Sequence, residues 1–100
     1  MPVQLKTGNK QIDGYTYDIN LIGLSCTTSE LVQPNTIADV ILHIPQKKNI
    51  FKNFLVRFQS RVTRIVELKK AGHFSYNIFL PFNEKARNYL RANPELLGQA

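Results

Sequence analysis

Between Phe54 and Leu68 the chain keeps a period of two for fifteen residues, with no Gly, Pro, Asn or Asp to make a turn. Phe54, Val56, Phe58, Ser60, Val62, Arg64, Val66 and Leu68 fall on one row, which is assigned to the core. Leu55, Arg57, Gln59, Arg61, Thr63, Ile65 and Glu67 fall on the other. Laid straight, such a strand would run about 50 Å, too long for a domain of this size. The spacing therefore predicts a bend, placed near Ser60. A strand that bends and serves two parts of a sheet is typical of small closed barrels.

The remaining chain reads as short strands between turn signals. Val3 to Thr7 alternates apolar and polar and ends at Gly8-Asn9. A second run from Gln11 to Asp18 is interrupted at Asp13-Gly14 and resumes as Tyr15-Thr16-Tyr17. Leu24 to Thr28 follows, and after Pro34-Asn35 the segment Ala38 to Ile44 places Ala38, Val40, Leu42 and Ile44 on one face. Lys69 to Gly72 turns the chain into His73–Leu80, where Phe74, Tyr76, Ile78 and Leu80 share a face. Asn83 is a suitable N-cap for a helix from Glu84 to about Ala92, with Ala86, Tyr89 and Leu90 as its apolar stripe. Pro94 stops it, and residues 95–100 begin a second helix or fray. The expectation is one domain over residues 1–100: an all-β, six-stranded antiparallel barrel over about 3–80, with a C-terminal helix.

Composition narrows the function classes. No apolar run is long enough to span a bilayer, and no signal-peptide pattern opens the chain, so a cytoplasmic protein with no membrane partner is expected. Cys26 is the only cysteine, which excludes an intrachain disulfide. His43 and His73 lack metal-ligand spacing, and neither Ser25 nor Cys26 belongs to any nucleophile–base pattern. The chain therefore reads as a non-enzyme with no metal or cofactor. Residues 1–45 carry two lysines against four carboxylates, whereas residues 46–100 carry eleven Lys and Arg against three Glu. The basic half suits an anionic partner. Arg57, Arg61 and Arg64 with Lys47, Lys48, Lys52, Lys69 and Lys70, interleaved with Phe51, Phe54 and Phe58, leave open a small nucleic-acid-binding barrel.

The most distinctive local pattern is Asp18-Ile19-Asn20-Leu21-Ile22-Gly23, set between two strand-like runs. Asp18 and Asn20 are turn-competent, and Gly23 permits a close approach that a Cβ would block. This unit resembles the second motif of the PilZ domain family, Asp/Asn-x-Ser-x-x-Gly, with Asn20 where the family has Ser. The element order agrees over residues 3 to about 92. The resemblance implies a six-stranded barrel acting in bacterial cyclic di-GMP signalling, with Asp18 accepting from a guanine edge and Asn20 contacting base or phosphate. It also implies a partner protein, as in motility or pilus assembly. The family's first motif, Arg-x-x-x-Arg, belongs just before the first strand, where this chain reads Met1-Pro2-Val3. The literal match Arg57-Phe58-Gln59-Ser60-Arg61 lies in the long strand instead. Lys6, Lys10, Arg57 and Arg61 are thus the candidate anion contacts. A related expectation is a PilZ-like domain that binds no dinucleotide and acts as a protein-interaction adaptor.

Overall fold

A computed structural model of the protein describes the backbone of residues 1–46, 49–70 and 72–94, and the side chains of these apart from 45, 46, 49–54 and 70. Lys47, Lys48, Ala71 and the tail 95–100 lie outside the described residues, as do the side chains of Phe51, Lys52, Phe54 and Lys70.

The strands are β1 (Pro2–Thr7), β2 (Lys10–Ile19), β3 (Gly23–Thr28), β4 (Ile37–Gln46), β5 (Asn49–Arg61), β6 (Arg64–Lys70) and β7 (His73–Pro81). They form one antiparallel sheet in the order β5-β4-β1-β2-β3-β7-β6. The helix α1 (Glu84–Ala92) follows. Strands alternate faces, and the core takes Val3 and Leu5 from β1, Leu24 and Cys26 from β3, Val40 and Leu42 from β4, and Ile78 and Leu80 from β7, while Ser25 and Ile41 are buried on the other row.

The long alternating run breaks where it must. The molecule measures 39 Å along its longest axis, too short for a straight fifteen-residue strand. The break falls at Val62–Thr63, two residues beyond the expected site, and yields seven strands where six were expected. The cause is a change of partner. Val62 exchanges backbone bonds with Asn35 and Thr36, just ahead of β4, whereas the Thr63 N–H donates to the Phe79 carbonyl of β7. Chain-adjacent β5 and β6 therefore become the two outermost strands of the sheet. Ser60 sits at this corner, buried, and its Oγ donates to the Pro81 carbonyl at 2.7 Å.

The break also shifts the phase of the alternation. Phe58, Ser60 and Val62 face inward, as the even row predicted. Beyond the corner, Ile65 is the residue packed against the core, while Val66 and Leu68 are exposed. The even row is thus the core row only up to Val62.

Gly14 does not interrupt β2, contrary to the reading of Asp13-Gly14 as a break. It pairs with Thr28, and a Cβ there would stand 2.6 Å from the Thr27 carbonyl oxygen. The glycine accommodates a close neighbouring strand. The irregularity in β2 lies instead between Thr16 and Asp18, a bulge that leaves Tyr17 unpaired.

The helix matches its sequence signals. Asn83 Oδ1 accepts from the Ala86 N–H at 2.8 Å, and Glu84 lies in the first turn. Ala86 and Leu90 are buried, and Tyr89 packs against the core. They close over Leu42, Ile44, Val56, Phe58 and Phe82, leaving a void of about 10 Å3. Phe58 and Phe82 meet edge to face with ring centroids 5.1 Å apart.

Candidate functional site

The turn between β2 and β3 is held by its own side chains. Asn20 Oδ1 accepts from the Ile22 N–H at 2.8 Å and from the Gly23 N–H at 3.1 Å. The Asn20 N–H donates to the Gly23 carbonyl, closing the turn, and its side-chain amide donates to Asp18 Oδ2 at 3.3 Å. Asn20 therefore spends its acceptor on the backbone, as an Asx turn does. Gly23 begins β3 opposite Pro81, and a Cβ on it would lie 2.5 Å from the Leu80 carbonyl oxygen and 2.7 Å from Phe79 Cζ. The turn is seated directly on β7.

That seating places Asp18 at the end of a row crossing four strands. Asp18 pairs with Ser25, Ser25 with Phe79, and Phe79 with Arg64. Because Leu24, Cys26, Ile78 and Leu80 point inward, this row faces outward. The Arg64 guanidinium lies over the Phe79 ring, 5.7 Å from its centroid. The next outward row joins Tyr15, Thr27, Asn77 and Val66. Thr27 Oγ1 donates to Asn77 Oδ1 at 3.0 Å, which fixes the polar centre of the face. Tyr15 and Tyr17 are 67% and 48% exposed, and Leu21 and Ile22 in the turn are exposed as well. One face therefore carries a carboxylate, a guanidinium, two tyrosine rings and several hydroxyl and amide groups.

Tyr15, Tyr17 and Phe79 were not among the site residues expected from sequence, and Arg64 was expected only in a possible nucleic-acid-binding face. The signal that would have found Arg64 is the phase shift at Val62–Thr63, which turns an apparent core position outward.

The expected cations lie elsewhere. Lys10 pairs with Glu30 at 3.1 Å, the one ion pair among the described residues. Arg61 Nη1 donates to the Asn35 carbonyl at 3.1 Å and so braces the loop before β4. Lys6 and Arg57 come together, but on the outer face of β1–β4–β5, where they line a groove with Asp39, Ile41 and Gln59. The structure thus engages Lys10 and Arg61 with other partners and places Lys6 and Arg57 in a groove that the Asp18 turn does not line.

Cys26 points into the core, fully buried, and burial pushes its thiol up to about 12, so little thiolate forms near neutral pH. His43 carries a buried Nε2 without a hydrogen-bond partner, and His73 is exposed. Among the described residues no three His, Cys, Asp or Glu side chains gather as a metal site, and no helix is long and apolar enough to cross a membrane. No family model, curated protein or solved structure matches the chain.

Proposed function

We propose that this chain is a PilZ-like regulatory module that holds a cyclic dinucleotide on the outer face of β2, β3, β7 and β6, and that it acts by binding rather than by catalysis. The observation carrying the proposal is the row Asp18–Ser25–Phe79–Arg64 beside exposed Tyr15 and Tyr17. A guanine edge needs an acceptor, its ring needs a flat partner, and a phosphate needs a cation. Asp18, the tyrosines and Arg64 are residues of those three kinds. Arg64 takes the part that arginines of the family's N-terminal motif would otherwise play.

The finer fold reading rests on connectivity. If β5 and β6 are one bent strand, the sheet order runs around a six-stranded barrel, and the Ser60–Pro81 bond stitches its seam. The outward row is then the barrel's ligand face and α1 its cap. A bacterial, cytoplasmic signalling role follows from the same reading, with a partner protein that senses the occupied face.

Isothermal titration with cyclic di-GMP tests it. Micromolar or tighter binding is expected, lost in Asp18→Ala and weakened about tenfold in Arg64→Gln. No heat at high micromolar ligand refutes the receptor role. A second reading, the protein-interaction adaptor, draws on the exposed apolar side chains Tyr15 and Tyr17 of β2 and Leu21 and Ile22 of the turn. It predicts no dinucleotide binding, together with partner binding that Tyr15→Ser and Ile22→Ser abolish. Against the nucleic-acid reading, Phe58 is buried in the core and Arg61 is engaged by the Asn35 carbonyl.

A further inference from the structure

Among the described residues β6 is an outermost strand of the sheet and pairs with β7 alone. Every second residue along it therefore turns its N–H and C=O away from β7, and no described group bonds to that edge. The side chains beside the edge are open as well. Val66 is 46% and Leu68 41% exposed, and Glu67 and Lys69 are exposed between and beside them. An edge of this kind is a template for one more strand.

Its charges decide which strand fits. The other outermost strand, β5, carries cations and no carboxylate, so a second copy of β5 laid against it would gain no ion pair. By contrast, β6 carries both signs on one row, with Glu67 two residues before Lys69. Glu67 takes no part in the one ion pair among the described residues. Lys69 lies over the Phe74 ring, 5.4 Å from its centroid, which holds it on the row that Glu67 shares.

Two antiparallel copies related by a two-fold axis place one residue opposite its own copy. Centred on Val66, the pairing sets Glu67 against Ile65. Centred on Glu67 or on Lys69, it sets like charges against each other, which is destabilising. Centred on Leu68, Glu67 of each copy faces Lys69 of the other, and the two exposed leucines meet at the axis. A single register thus matches both charge and apolar surface.

We propose that a second copy of this chain pairs with β6 in the register centred on Leu68, so that one antiparallel sheet runs through both molecules of a symmetric dimer. The pairing spans residues 66–70 of each copy, a small interface, and the dimer is weak and reversible. It does not depend on the dinucleotide reading.

Sedimentation equilibrium of the full chain from about 10 μM to 1 mM tests it, in about 0.15 M salt to screen the net charge of +6. A monomer–dimer equilibrium with Kd below about 1 mM is expected. Glu67→Lys and Lys69→Glu each set like charges opposite one another on both sides of the axis, and each should weaken dimerisation about tenfold. An equimolar mixture of the two variants should dimerise about as well as the natural chain, because each supplies the charge that the other lacks. The double variant Glu67→Lys/Lys69→Glu should recover the natural affinity for the same reason. A natural chain that stays monomeric at 1 mM overturns the proposal. So do single variants that dimerise as tightly as the natural chain, or a mixture that dimerises no better than either variant alone.

Discussion

Gly23→Ala is the perturbation that most directly questions how the turn is built. The added methyl would meet the Leu80 carbonyl oxygen at 2.5 Å, Phe79 Cζ at 2.7 Å and Pro81 Cα at 2.9 Å. Two of these atoms are backbone of β7 held in the ladder with β3, so they cannot move aside alone. The Phe79 ring can swing, but only by leaving the Arg64 guanidinium that lies over it. Overpacking of this kind costs about 1–3 kcal/mol. Replacing Gly by Ala also stiffens the unfolded chain, a gain of about 0.4–1 kcal/mol where the backbone permits it. The net loss is about 1–2 kcal/mol, or about 5–15 °C in Tm for a domain of this length. Circular dichroism through a thermal ramp reads it, and urea unfolding with an unchanged m-value confirms that the native state is the one affected. An unchanged or raised Tm would show that β3 and β7 are not in the close contact described, and the seating of the turn would have to be abandoned.

Other consequences concern the Ser60 corner, the helix cap and the buried thiol. Ser60→Ala removes the donor to Pro81 and should cost about 1–2 kcal/mol in urea unfolding, whereas a neutral result would mean that this bond does not hold the corner. Asn83→Ala should lose about 1 kcal/mol and Asn83→Asp should keep most of it, because either Asn or Asp can accept from Ala86; equal losses would contradict the cap. Cys26 should resist iodoacetamide at pH 8 until the protein unfolds, and rapid labelling of the native chain would contradict its burial. Its folded pKa is about 12 against an ordinary 9.0, so above pH 9 the unfolded thiol ionises first. Stability should then fall by up to about 1.4 kcal/mol per pH unit toward pH 12, and Cys26→Ala should flatten that slope.

The sequence was most informative where the physics is local. The Asn83 cap, the stripe Ala86–Tyr89–Leu90 and the stop before Pro94 depend on neighbours within one helical turn, and the helix forms over Glu84–Ala92 as they indicate. Gly23 was recognisable as a point of close approach, though only the fold reveals that β7 is what approaches. The long alternating run required a bend, but its position depends on which strand each residue pairs with. Val62 belongs to the β4 side and Thr63 to β7, and that division reverses the alternation beyond them. The place of Arg64 beside Phe79 was hidden for this reason. The destinations of the cations were equally out of reach: Lys10 meets a glutamate twenty residues away, and Arg61 a carbonyl twenty-six residues away. Charge counting identifies a basic half, whereas the faces on which those charges stand are set by register.

The dinucleotide reading is tested most directly by mapping amide shifts of the 15N-labelled chain during titration with cyclic di-GMP. Shifts should cluster at Tyr15, Tyr17, residues 18–23, Ser25, Asn77 and Arg64, while Ile41 and Arg57 in the groove lined by Lys6 stay still. No saturable shift, or shifts confined to the Lys6–Arg57 groove, would contradict the assignment of the β2–β3–β7–β6 face.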